Sequence, residues 1–375
     1  MDLLAAMQTL LIGPQGFVRE PLQLVMIAIG GLLIYLAIAR EFEPVLLLPI
    51  GLGAILANIP ATGMTEEGGL LKLLYDIGIV NELFPLLVFI GVGAMTDFGP
   101  LLENPKLVLL GAAAQFGIFG TMMLALVMGF TLKEAASIGI IGAADGPTSI
   151  YVAASLAPNL LAPITVAAYS YMSLVPIIQP PVMRLLTSKA ERMIKMPYST
   201  LGVSKTTRVL FPLVVTLVCG LIAPKATPLI GMLMFGNLMR EAGVVARLSN
   251  TASNELINIV TIFLGLTIGG TMVARDFLTF QTLLIIGMGL LAFVLDTAAG
   301  VLFGRLMCRL SGGKINPLIG ASGISAFPMS ARVVQKVGQE DDFSNFLLMH
   351  AMGSNTAGQV ASVMAGGAVL ALLAR

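Results

Sequence analysis

This chain of 375 residues has no tryptophan, one histidine, two cysteines and only 11% charged residues. Most of these scarcities remove a class of function. A soluble domain carries about 25% charge, so 11%, with 57% hydrophobic residues and a mean hydropathy of +0.94, describes a polytopic membrane protein. A net charge of +1 removes the electrostatic case for nucleic-acid binding. Cys219 and Cys308 stand in separate apolar stretches, which supports neither a disulfide nor a thiolate metal site. No nucleophile elbow, phosphate-binding glycine loop, CxxC, HExxH or dinucleotide fingerprint is present. Without a Walker site, energy for transport has to come from an ion gradient or from a reaction brought by a partner. The missing tryptophan, a residue usual at membrane interfaces, has no explanation in the sequence.

Glycine (41) and proline (20) are plentiful and cut the apolar runs, as in transporters with broken helices. The predicted fold is an all-α polytopic membrane protein with about ten to twelve embedded helical elements, half-helices and hairpins included. The apolar segments are roughly 22–39, 45–60, 83–96, 107–130, 137–156, 162–183, 208–223, 227–240, 256–274, 280–305, 315–331 and 343–372, the last long enough for two elements. Met1 to Ile12 lacks a basic n-region and a cleavage site, and reads as an amphipathic or interfacial lead-in.

Residues 184–207 form the longest polar interval. Arg184, Lys189, Arg192, Lys195 and Lys205 stand there against Glu191 alone, and Arg208 follows. The positive-inside rule makes this a cytoplasmic basic linker. It separates a first membrane repeat with its lead-in (1–183) from a second (208–375). Arg305, Arg309 and Lys314 are expected on the same side, and the acidic loop from Glu66 to Glu82 outside.

Four elements recur in order in both halves. Asn81-Glu82-Leu83 leads to Thr96-Asp97-Phe98, and Asn254-Glu255-Leu256 leads to Arg275-Asp276-Phe277. A long apolar segment follows each, then Ile141-Gly142-Ala143-Ala144-Asp145 in one half and Ile319-Gly320-Ala321-Ser322-Gly323 in the other. Similarity does not distinguish parallel from inverted repeats; inverted ones are the usual design where broken helices meet near the midplane.

The most informative residue is Asp145, between glycines and before Pro147 at membrane depth. An ionised carboxylate there costs about 2.5–3.5 kcal/mol on the insertion scale unless it faces a cavity or a cation. Gly146 and Pro147 interrupt the helical ladder and free carbonyls beside it, a ligand set suited to sodium. In the second half, Asn316, Ser322 and Ser325 offer neutral oxygens, although Asn316 before Pro317 also resembles a helix cap. Asn355 either completes an ion shell or hydrogen-bonds a neighbouring helix. Tyr169, Ser170, Tyr171 and Ser173 are candidates for ion binding or proton passage, or are plain packing residues. Arg332 is either a lipid or topology anchor or a carboxylate or carbamate receptor. Asp296, inside an apolar run, ranks second for coupling or proton movement. Asp97 and Asp276 read as helix-end charges, and His350 as a hydrogen-bonded helix residue.

Together these motifs resemble the membrane β subunit of sodium-pumping biotin-dependent decarboxylases, the family serving oxaloacetate, glutaconyl-CoA and methylmalonyl-CoA decarboxylase complexes. The resemblance rests on Gly142-Ala143-Ala144-Asp145-Gly146-Pro147-Thr148, on Asn316 with Gly320, Ser325 and Arg332, and on Gly353-Ser354-Asn355-Thr356-Ala357-Gly358. It implies a sodium site at Asp145, Asn316, Ser325, Asn355 and Gly320, coupling or proton delivery through Tyr171, and carboxybiotin handling by Arg332. It implies decarboxylation of N-carboxybiotin coupled to Na+ export and consumption of a proton from outside. Biotin would be carried covalently on a partner. The implied partners are a carboxyltransferase α subunit, a biotin carrier subunit and a small membrane-anchored γ/δ-type subunit. A trimer of this chain, a core moving against a scaffold, and residence in the plasma (inner) membrane of a bacterium or archaeon are implied as well. The amino-terminal region is shorter than in some oxaloacetate-type β subunits, which favours the acyl-CoA branch. The competing class is a secondary sodium symporter or antiporter, which needs Asp145 and the helix breaks but no carboxybiotin.

Overall fold

A computed structural model describes residues 14–197 and 202–374, and among them there is no β-strand. The lead-in at Met1–Ile12 lies outside the described residues. A chain this apolar has to satisfy its backbone polar groups internally, and helices do so segment by segment. The principal helices are α1 (Leu22–Ala39), α2 (Pro44–Ala57), α3 (Leu83–Met95), α4 (Val108–Ala114), α5 (Phe116–Val127), α6 (Leu132–Gly139), α7 (Gly146–Leu156) and α8 (Leu161–Ser173). They continue as α9 (Val175–Leu186), α10 (Lys205–Ile222), α11 (Thr227–Ala242), α12 (Ile257–Gly270), α13 (Phe280–Leu310), α14 (Met329–Asp341) and α15 (Leu348–Leu373).

Six helical stretches among the described residues are long and apolar enough to cross a membrane, or up to eight spans if each bent pair counts as one. One such pair bends by 63° between Val80 and Leu83, the other by 68° before Val175, where Pro176 opens α9. The stretch 343–372, long enough for two elements, holds one continuous helix, α15. The stretch 315–331 is no straight helix. It is a 3-10 turn, Pro317–Gly323, followed by α14, an amphipathic helix that buries Val333, Val334 and Val337 but is too polar overall to read as an apolar run.

The helix packing depends on glycine where backbones meet. A Cβ on Gly93 would lie 1.8 Å from the Leu233 carbonyl oxygen, and one on Gly236 would lie 2.0 Å from that of Ile90. The same reciprocity joins α2 to α12: a Cβ on Gly53 would be 2.4 Å from the Leu266 oxygen, and one on Gly269 would be 2.1 Å from the Ile50 oxygen. Each crossing therefore pairs a helix before the linker with one after it. Buried asparagines lock both ends. Asn58 donates to the Met272 carbonyl (2.8 Å) and accepts from the Ala274 N–H (2.9 Å), while Asn237 donates to the Thr96 carbonyl (3.0 Å).

The basic linker is docked on α14. Arg184 pairs with Glu340 (2.6 Å), Arg192 with Asp341 (2.5 Å) and Lys195 with Asp342 (3.1 Å), while Arg305 reaches back to Glu191 (2.8 Å). The Arg192 hydrogen bond holds the Asp341 carboxyl below its ordinary range, and the Ser344 hydroxyl and Lys195 do the same for Asp342. At Glu191 burial acts upward, but bonds from Ser188 and Arg305 outweigh it and the net shift is downward. Groups lowered by folding stabilise the docked state above their unfolded values, about 3.9–4.3, and lose that contribution as pH falls through the folded ones. A spin label at position 189 is therefore expected to keep constant mobility between about pH 5 and pH 8 and to loosen below about pH 4. Unchanged mobility on acidification would remove the ion pairs as the linker's anchor.

A candidate cation site where two helix breaks meet

The α6 helix gives way to a 3-10 turn at Ile140–Ala143, and Ala144 then takes a left-handed conformation (φ 52°) that turns the chain back toward α7. Asp145 is the residue before that helix. Its Oδ1 accepts from the Thr148 N–H at 3.1 Å, so the carboxylate caps α7 and faces the positive end of its dipole. The second break arrives from the other half: the Ser325 N–H donates to the Ala143 carbonyl at 2.9 Å. The Ser325 hydroxyl lies 3.4 Å from Asp145 Oδ2, and the Ser362 hydroxyl of α15 donates to the same oxygen at 2.7 Å.

Asp145 is 5% exposed, and that sliver opens into a cavity of about 210 Å³. Phe89 and Val92 of α3, Ile257 of α12 and Met172 of α8 line it with Ser325, Phe327 and Gln359. No ion pair among the described residues involves Asp145. Nor do three or more His, Cys, Asp or Glu side chains gather anywhere among them. One carboxylate among hydroxyls and backbone carbonyls is a donor set for a monovalent hard cation; a resident divalent ion would call for more negative charge.

The site residues read from sequence separate into two groups. Ser325 is brought to Asp145. Asn355 stands behind it, donating to the Ser322 and Ile324 carbonyls (3.2 and 2.6 Å) and leaving its own buried oxygen without a partner. Gly320 serves a close crossing: a Cβ there would lie 2.0 Å from the Gly300 carbonyl oxygen of α13. Asn316 is elsewhere. Its amide donates to the Arg192 and Ile194 carbonyls of the linker (2.9 and 2.8 Å), and its oxygen accepts from the Leu318 N–H. The capping alternative describes it, because backbone groups engage both ends of its amide.

The tyrosines divide in the same way. The Tyr171 hydroxyl donates to the Ile286 carbonyl of α13. It is the Tyr169 ring that lies over the Asp145 turn, since a Cβ on Gly146 would meet it at 2.1 Å. Ser362 and Gln359 were missed in the sequence. The signal was present: Asn355, Gln359 and Ser362 are spaced i, i+4 and i+7, one face of a helix.

Comparison with known proteins fits this geometry. A family model described as the Na+-transporting oxaloacetate decarboxylase beta subunit matches residues 22–373. The chain belongs to that family. It is 55% identical over 374 residues to the glutaconyl-CoA decarboxylase subunit beta of Acidaminococcus fermentans, covering 100% of this chain and 99% of that one. It is 57% identical over 349 residues to the methylmalonyl-CoA decarboxylase subunit beta of Veillonella parvula (93% and 92% covered). The oxaloacetate decarboxylase beta chain 2 of Salmonella typhimurium is 49% identical over 409 residues, with 93% and 94% covered. In this β subunit Arg332 is exposed, in the first turns of α14 and five residues beyond Phe327 of the cavity wall. Its guanidinium has no ion-pair partner among the described residues.

Proposed function

We propose that the chain decarboxylates N-carboxybiotin presented by a carrier subunit and couples this to Na+ export and to uptake of a proton from outside. The observation that carries the reading is Asp145: a buried carboxylate without a counter-ion, capping one broken helix and touched by Ser325 of the other. Sodium is its partner in this reading, held with Ser325 and Ser362, and with the unpartnered oxygens of Thr148 and Asn355 as reserve ligands. Arg332 receives the carbamate, for which a planar guanidinium is well shaped. The carbamate supplies the driving chemistry: loss of CO2 leaves a basic ureido nitrogen that takes up a proton. When a proton reaches Asp145 it neutralises the only charged ligand, and sodium is released. Tyr169, over the same turn, limits the path that proton takes, while Tyr171 positions α8 against α13.

The paired order of elements and the reciprocal glycine crossings support two inverted repeats, 1–183 and 208–375, with the linker 184–207 in the cytoplasm. In this arrangement α3 and α12 belong to a scaffold against which the breaks move. The carboxyltransferase α subunit, the biotin carrier and a small membrane-anchored γ/δ-type subunit complete the machine, around a trimer of this chain in a bacterial or archaeal plasma membrane. The higher identities to the two acyl-CoA decarboxylase subunits favour an acyl-CoA as the carboxyl source.

The test uses purified chain in inverted vesicles with carboxybiotin-loaded carrier. Sodium uptake that starts only on addition of the loaded carrier is the expected result. Uptake driven by a proton or solute gradient without carboxybiotin would assign the chain to secondary transport.

A further inference from the structure

Asp296 is a second carboxylate at membrane depth, and the reading above does not use it. It lies in α13, is 0% exposed, and neither carboxylate oxygen has a hydrogen-bond partner. Two glycines press on it. A Cβ on Gly117 would lie 2.4 Å from Oδ1, and one on Gly142 would lie 2.1 Å from Oδ2. The carboxyl group is thus wedged between two backbones, where α5 begins and at the 3-10 turn that ends in Asp145. The N–H groups of Gly117 and Ile118, at the start of α5, are the polar groups that bear on it. They approach the carboxylate without completing a strict hydrogen bond, and as neutral dipoles they are no substitute for a counter-charge.

An ionised carboxylate in such a place needs a counter-charge, because a lone buried ion costs several kcal/mol. None of the elements packed against α13 supplies one. The α4 and α5 helices and both 3-10 turns have no charged residue. On α6, Lys133 and Glu134 stand in the first turn, six residues or more before the 3-10 turn. On α9, Arg184 is taken by Glu340 at the linker. The titratable groups of α8 are Tyr169 over Gly146 and Tyr171 on Ile286. Nor is there room for a metal ion on the two flanks where even a methyl carbon would clash. A proton needs no room.

We propose that Asp296 is a second proton-binding group, which holds a proton in this conformation and gives it up only when the Ile140–Ala143 turn moves away from α13. The proposal rests on the reading above for one point, that the Asp145 turn exchanges sodium against a proton. Gly142 ties the two events together: it touches Asp296 and precedes Asp145 by three residues. Movement of the turn that carries Asp145 would open the Gly142 contact, and water admitted there would accept the proton and leave the carboxylate.

The experiment is infrared spectroscopy of the full chain reconstituted in sodium-free membranes, with and without 13C-labelled aspartate. A carboxylic-acid C=O band that moves on labelling, persists to about pH 8, survives in Asp145→Asn and vanishes in Asp296→Asn is the expected result. A band that is absent, or still present in Asp296→Asn, overturns the proposal. Asp296→Glu keeps the acid and should shift the band without removing it, and the labelled wild type gives the answer even if the Asn variant does not fold. Wild-type vesicles that take up no sodium on addition of carboxybiotin would sink the functional reading and leave the band result to stand separately.

Discussion

Asp145→Asn is expected to abolish sodium-dependent decarboxylation while the protein remains inserted at wild-type levels. Asparagine keeps the shape and one acceptor oxygen, so the Thr148 cap is weakened and the fold retained. What disappears is the only negative charge in the cluster. Removing one partner of a buried charge pair costs about 3–5 kcal/mol, which at about 1.4 kcal/mol per factor of ten is about two to three and a half orders of magnitude in sodium affinity. The measurement is sodium-stimulated turnover of carboxybiotin over a wide sodium range, with membrane content quantified in parallel. Normal stimulation in the variant would sink the assignment of Asp145. Ser362→Ala is the graded companion. A hydrogen bond to a charged group is worth about 1.5–3 kcal/mol, so half-saturation by sodium should rise by about tenfold to a hundredfold with maximal turnover less affected.

Gly236→Val is expected to be strongly destabilising although it lies outside the site. The new Cβ would stand 2.0 Å from the Ile90 carbonyl oxygen and 2.7 Å from the Ala94 nitrogen. Both obstacles are backbone, so no side chain can swing aside, and α3 and α11 have to part along their length. Overpacking costs about 1–3 kcal/mol where side chains yield, and more is expected here. The separation also strains the Asn237 bond to Thr96, whose hydroxyl in turn donates to Gln359 of the cavity wall. Thermal unfolding in detergent should show a large loss for Gly236→Val and for Gly93→Val. Gly231→Ala, on the same helix with only a methyl of Thr216 at 3.9 Å, should be close to neutral. Equal stability of all three variants would remove the crossing as a structural requirement. Because Gly93 and Gly236 serve one contact, the pair of substitutions should cost less than their sum.

The helices and the two breaks were legible because lipid imposes a simple rule: apolar runs become helices, and Gly or Pro marks where they stop. The bounds of α1 were read correctly on that basis. The α14 helix was not, because its segment from Met329 to Asp341 is polar and is held by pairing with the linker. At the site, Asp145 and Ser325 stood out by their residue types beside glycines. Ser362 did not, since a serine in an apolar helix is unremarked until a carboxylate is placed 2.7 Å from it. Asn316 and Tyr171 were taken with the right motifs, yet their polar atoms meet backbone carbonyls of the linker and of α13. Residue identity carries no direction, and direction decides whether an oxygen reaches an ion.

By itself, the sequence determined that the chain lives in lipid and that one carboxylate sits beside a helix break. Those conclusions follow from transfer free energies and local backbone chemistry, which act residue by residue. Only the tertiary structure decided that the break of one half meets that of the other, that Ser362 joins Asp145, and that Asp296 lies behind the same turn between two glycines. Those are distances between segments far apart in the chain. They are set by how closely backbones can approach at Gly53, Gly93, Gly142 and Gly236, which no local property of the sequence encodes.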